Sequence, residues 1–167
     1  MKFEGEHLFP GQLGHFFVIL SLIASLLATV FYFKASRTLI ITQKNNWLKA
    51  ARAAFCVQVV GVLIVFFTVF YLCANHLYEY MYAYKHASKE LEYKYLLACI
   101  WEGQEGSFLL WTIWHSILGM ILIRKSKEWE APVMTVISFA QFFLLMMILG
   151  IHFGNIKIGN SPFAYPE

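Results

Sequence analysis

The chain has 167 residues, of which 59% are hydrophobic, 18% aromatic and only 14% charged. A soluble domain carries about a quarter charged residues, and here the apolar residues come in blocks long enough to cross a bilayer, which excludes a water-soluble globule. The formal net charge of +3 is too small to point to nucleic acid, so the placement of charge between loops says more than its total.

Met1 to Pro10 is short and polar and closes on Phe9-Pro10-Gly11, a turn signal. No cleavable signal peptide is expected, because the N-terminus holds Lys2, Glu4 and Glu6 and the apolar run after it is too long for a signal h-region. That run, residues 12–33, is long enough to cross ~30 Å of hydrocarbon as a helix. Ser21, Ser25 and Thr29 recur every fourth residue with Ala24 and Ala28 beside them, a small-residue stripe suited to close helix packing. The stretch from Lys34 to Arg52 carries Lys34, Arg37, Lys44, Lys49 and Arg52 without an acid, and reads as a basic loop.

A second span is expected over 53–74, interrupted by Gln58 and Gly61. Residues 75–106 form the longest polar segment, with His76, His86 and tyrosines at 78, 80, 82, 84, 93 and 95. Tyrosine at this density fits a membrane interface, with the ring buried and the hydroxyl wet. A third span is expected over 107–123. A tight loop follows at Arg124, Lys125, Lys127, Glu128, Trp129 and Glu130, and Pro132 suits the first turn of a fourth span over 132–152. The expected fold is therefore an all-α integral membrane protein of four transmembrane helices. Eight of the thirteen Lys and Arg residues lie in the first and third connections, so the positive-inside rule places those loops in the cytoplasm. Both termini and the 75–106 segment are then periplasmic, in a bacterial inner membrane.

The stretch of most chemical interest is Trp101-Glu102-Gly103-Gln104-Glu105-Gly106-Ser107, followed by Phe108-Leu109-Leu110-Trp111. Charge beside a membrane segment is costly unless it has a use. A structural use is available: Ser107 can cap the third span, and Glu102 and Glu105 then sit just before the positive end of its dipole. A shaped outer surface is the functional reading of the same residues. Among the histidines, His15 and His152 lie near the outer ends of two spans, the arrangement a bis-histidine heme needs. His115 lies deeper, four residues after Trp111 and on the same face. A hydrogen-bonded structural role is the commoner reading for His15 and His152 and at least as good a one for His115, and it is the reading for Gln58 and Gln141. Cys56, Cys73 and Cys99 form no C-x-x-C pair or metal spacing. No catalytic triad, phosphate loop, metal motif or nucleic-acid patch is present, so no catalytic or metal residue is assigned.

The motifs resemble the N-terminal part of the cytochrome c maturation heme-lyase family, CcmF. The resemblance rests on His86-Ala87-Ser88, Leu91, Tyr95 and the whole of Trp101 to Trp111. Phe9-Pro10-Gly11-Gln12-Leu13-Gly14, the basic first loop and Ser161-Pro162-Phe163 match as well. Gln104 stands where many members have His. The resemblance implies a many-span inner-membrane protein that handles heme on the periplasmic side and helps attach it to apocytochrome c. The remaining part of the lyase, in the same or a split chain, and a heme chaperone are implied as further partners beside membrane lipid. The family's tryptophan-rich heme segment and ligand histidines lie further along than this chain extends, so the resemblance transfers no heme ligand to it. It implies a portion that does not hold heme alone. The alternative is a small membrane-anchor or heme b subunit of a respiratory oxidoreductase, using His15 and His152.

Overall fold

A computed structural model of the chain describes residues 8–75, 77, 80–86, 100, 103–153 and 156–163. Four long helices dominate: α1 (Leu8–Arg37), α2 (Ile41–Ala74), α4 (Gln104–Lys125) and α5 (Glu130–Leu149). A short helix, α3 (Met81–His86), precedes α4. A two-stranded antiparallel hairpin, β1 (Ile151–Phe153) and β2 (Ile156–Ile158), follows α5. Each long helix is long and apolar enough to cross a membrane, and the chain is a multi-pass integral membrane protein. His76, Trp101 and Glu102, with most of the expected 75–106 segment, lie outside the described residues.

The helix bounds differ from the expected spans for physical reasons. At 34 residues α2 is about 50 Å long at 1.5 Å per residue, well beyond the hydrocarbon thickness. Its first three turns are the Lys- and Asn-containing stretch expected to be loop. Lys, Gln and Leu are good helix formers, so polarity alone does not end a helix. The true connection is Thr38 to Ile40. Trp47 anchors the extension, with its ring centroid 5.6 Å from that of Phe31 and the Lys34 ammonium 4.7 Å from its centre. At the other end α5 stops at Leu149, where Gly150 takes a left-handed conformation (φ 71°) and its N–H donates to the Met146 carbonyl. His152, expected on the fourth span, therefore stands in β1.

The helices close in the cyclic order α1, α2, α4, α5, with α1 packed on α2 and α5, and α4 packed on α5 and α2. The small-residue stripe is what α1 presents inward: Ser21, Ala24, Ser25 and Ala28 are buried. Gly61 of α2 sits against Ser21, and a Cβ there would meet the Ser21 hydroxyl. Gly119 of α4 likewise admits the Phe55 ring and the Met134 side chain. Large apolar residues such as Phe16, Ile23, Phe67, Ile121 and Phe139 stay exposed, as lipid-facing positions do.

The interior has three tiers. An apolar cluster at the end carrying the N-terminus (the terminal end) includes Val18, Val65, Leu72, Leu109, Leu145 and Ile148. A second, at the end carrying the basic connections, includes Ala28, Tyr32, Ala51, Phe55 and Met134. Between them lies a polar band in which Gln141 donates to the Thr112 carbonyl and the Ser116 hydroxyl, both at 3.0 Å. Gln58 reaches the same Ser116 hydroxyl at 3.4 Å. Gln58 and Gln141 thus tie α2 and α5 to α4, the cross-helix bonding expected of polar residues in apolar spans.

Candidate functional site

Three of the singled-out motifs meet at the terminal end of the bundle. The Phe9 to Gly14 motif forms the start of α1, and its two glycines each receive an aromatic ring. The Gly11 N–H donates to the Tyr80 hydroxyl at 3.0 Å, and the Tyr80 ring lies where a side chain on Gly11 would be. One turn on, Gly14 lies against the ring of Phe163. Phe163 comes from the Ser161-Pro162-Phe163 motif, where its N–H donates to the Ser161 hydroxyl at 3.3 Å. The β1–β2 hairpin returns the chain to the bundle. Gly159, with φ 74°, then lies so close to the Met147 backbone that no Cβ would fit.

The third motif is held by a different tyrosine. The Tyr82 hydroxyl donates to the Ile100 carbonyl, and both groups crowd the Cα of Gly106. The glycine of Glu105-Gly106-Ser107 is therefore the point at which Tyr82 and Ile100 pack onto the start of α4. Tyr80 and Tyr82 are fully or nearly buried, with their hydroxyls on backbone groups, whereas Tyr84 is exposed. Among the described tyrosines of this segment only Tyr84 matches the expectation of a wet interfacial ring, and Tyr78, Tyr93 and Tyr95 lie outside the described residues. Buried hydroxyls find partners, and here the partners are backbone atoms left by close glycine packing.

Capping of α4 also differs from expectation. Gly103, in extended conformation, is the N-cap, and Ser107 lies inside the first turn with its N–H on the Gly103 carbonyl at 3.0 Å. Glu105 is in that turn and half-buried, near the positive end of the dipole, and Gln104 is exposed. Trp111 lies two turns down and is 59% exposed on the outside of the bundle, as is Trp114 at 62%.

The histidine candidates do not converge in any described contact. His15 is exposed on α1. His115 is half-buried, with Nδ1 2.8 Å from the Trp111 carbonyl, a contact that makes Nδ1 the protonated nitrogen. His152 stands in β1, past the end of α5, rather than on the fourth span as expected. His86 closes α3. Three grooves on the bundle, two between helix pairs and one at the basic end, are lined without histidine.

Sequence reasoning missed one charged feature. Arg52 and Glu130, both expected in connections, form a two-pronged ion pair between α2 and α5, with Nε–Oε1 at 2.7 Å and Nη2–Oε2 at 2.5 Å. Glu130 is 2% exposed. The only hint was an acid two residues ahead of Pro132, where a helix start would bury it.

The fold and this end of the bundle define a four-helix membrane module whose terminal end is closed by glycine-seated aromatic rings. Its fold is similar to that of a solved structure described as "Cytochrome c Heme Lyase CcmF", with a TM-score of 0.77 over 98% of this chain and 23% sequence identity. The match covers 26% of that chain, so this protein spans about a quarter of the length of the structure it resembles. No family model matches the chain. No curated protein matches it either.

Proposed function

We propose that this chain is the N-terminal membrane portion of a heme-lyase-type protein and serves the maturation of c-type cytochromes in a bacterial inner membrane. The observation that carries the reading is the fold likeness, which runs through nearly the whole chain and includes the hairpin end. The motif resemblance supports it as well, because three of the matching segments meet at the terminal end. In this reading both termini and that end face the periplasm. The excess of Lys and Arg in the connections at the opposite end favours this orientation.

In this reading the Trp101 to Ser107 motif marks the face on which a heme chaperone and an apocytochrome c dock. Its described side chains are exposed Gln104, half-buried Glu105 and Ser107, and exposed Trp111 two turns along α4, with Gly103 and Gly106 buried behind them. The rest of the lyase, in the same polypeptide or a partner, supplies the heme-holding part. Heme is the cargo of that reaction, and the described residues do not fit a heme seat. His115 has one ring nitrogen engaged, His15 is exposed, and the described grooves offer no histidine. No catalytic step is assigned to this chain.

The test is deletion of the gene in its host, followed by heme-stained gels of membrane and periplasmic fractions. Covalent heme staining should disappear while apocytochrome is still exported, and return with the intact gene. Undiminished c-type cytochromes would end the proposal.

A further inference from the structure

At the basic end, opposite the motifs, the C-terminal turn of α1, the start of α2 and the start of α5 enclose a groove of about 660 Å³. Its rim and its floor differ in chemistry. Arg37 and Lys44 stand at the rim, and neither has an ion-pair partner among the described residues, whereas Arg52 nearby is already committed to Glu130. The apolar part of the lining, its floor, is Phe33 and Pro132, both exposed, with the Arg37 guanidinium 5.5 Å from the Phe33 ring centre and exposed Trp129 beside them. Glu128 is the single acid in the lining. It is outweighed locally: Lys34, Arg37, Lys44, Lys49, Arg124, Lys125 and Lys127 surround this end after the Arg52–Glu130 pair is set aside.

Below the floor the apolar surface continues one turn deeper as exposed Val30 on α1 and Val136 on α5, at i−3 from Phe33 and i+4 from Pro132. A cationic rim, an interfacial tryptophan and an apolar floor that runs into the bilayer are complementary to one occupant. It has a phosphate at one end and acyl chains at the other.

We propose that this groove binds an anionic phospholipid, with Arg37 and Lys44 on the phosphate and the acyl chains along Phe33 and Pro132 toward Val30 and Val136. Bound there, the lipid bridges α1 and α5 and stands in for the missing anionic partners of Arg37 and Lys44. A zwitterionic lipid of the same chain length fits the floor but meets the rim with a headgroup of no net charge.

The experiment is native mass spectrometry of the intact chain released from detergent micelles holding equal amounts of phosphatidylglycerol and phosphatidylcholine with identical acyl chains. The native chain should retain one phosphatidylglycerol at least fivefold over phosphatidylcholine. In R37Q/K44Q that ratio should fall to near unity. In K125Q/K127Q, which removes the same charge outside the groove, it should be kept. Equal retention of the two lipids by the native chain overturns the proposal. So does an equal loss of preference in both double variants, since that result assigns the effect to diffuse charge.

Discussion

Gly106 shows how much of this protein turns on single missing side chains. The Tyr82 hydroxyl and the Ile100 carbonyl converge on its Cα, and backbone cannot withdraw as the tip of a flexible side chain can. Gly106→Ala should therefore force the segment before α4 away from the bundle. Overpacking of this kind costs about 1–3 kcal/mol. A lowered melting temperature of the purified chain would register it, together with faster amide exchange at residues 80–86. Gly103→Ala makes a useful contrast, since the cap residue is in extended conformation and an alanine fits its backbone angles. It should lose less. An alanine at 106 that melts with the native chain would show that the Tyr82–Ile100 contact is not what holds this segment. Much of this was hidden from the sequence. The residues of Glu105-Gly106-Ser107 stood out as a motif, but the reason for the glycine is a tyrosine 24 positions earlier, and no local pattern carries that information.

At the scale of elements, the four helices were legible because apolar runs of spanning length leave few alternatives. Their ends were not. The first three turns of α2 look like a polar loop, although every residue in them tolerates a helix. The hairpin after α5 was invisible, since its strands are three residues each and depend on two left-handed glycines. Hydrophobicity also said nothing about which helices would be tied by charge. The Arg52–Glu130 pair joins α2 to α5 across the bundle, and its two halves differ in burial: Glu130 is nearly sealed, while the Arg52 side chain is 45% exposed.

Removing either partner should therefore have unequal effects. Arg52→Gln strands a buried carboxylate, for which breaking a buried pair costs about 3–5 kcal/mol at full burial and less here because water reaches the arginine side. Glu130→Gln leaves a guanidinium that can turn outward to solvent or headgroups, and should cost about 1 kcal/mol. The double variant should recover part of the Arg52→Gln loss. Thermal melts of the three variants in one detergent would decide it. A Glu130→Gln loss larger than that of Arg52→Gln would reverse this account of the pair.

For the molecule as a whole, the two ends of the bundle differ in construction. One is closed by motif glycines and aromatic rings, and the other is basic and grooved. Their assignment to opposite sides of the membrane follows from charge, and it can be tested without reference to function. In a background with Cys56, Cys73 and Cys99 replaced, Asn160→Cys should react with an impermeant maleimide added from the periplasmic side. Lys44→Cys should react only after the membrane is permeabilised. The opposite labelling would put the glycine-built end in the cytoplasm and overturn the orientation on which the proposed function rests.

The last expectation concerns heme itself. Stable bis-histidine ligation needs a shaped cavity, two ligands at matched depth and partners that hold each ring. The bundle interior instead holds a polar band of glutamine and hydroxyl groups between two apolar tiers, and α1, α2, α4 and α5 pack directly on one another around it. The histidines with described positions stand on an exposed face of α1, at the end of α3, beside the Trp111 carbonyl and in the hairpin strand. Of these, His115 is the most nearly prepared, since the contact at Nδ1 leaves Nε2 as the basic nitrogen, yet one ring on one helix cannot enclose a porphyrin. The purified chain should therefore be colourless, and under the proposed function it gains heme only together with further protein that supplies the ligands. Absorption spectra, oxidised and dithionite-reduced, with hemin added at one equivalent, provide the measurement. A stoichiometric b-type Soret and α band that vanishes on replacing His15 or His152 would overturn this account and favour a respiratory heme b subunit.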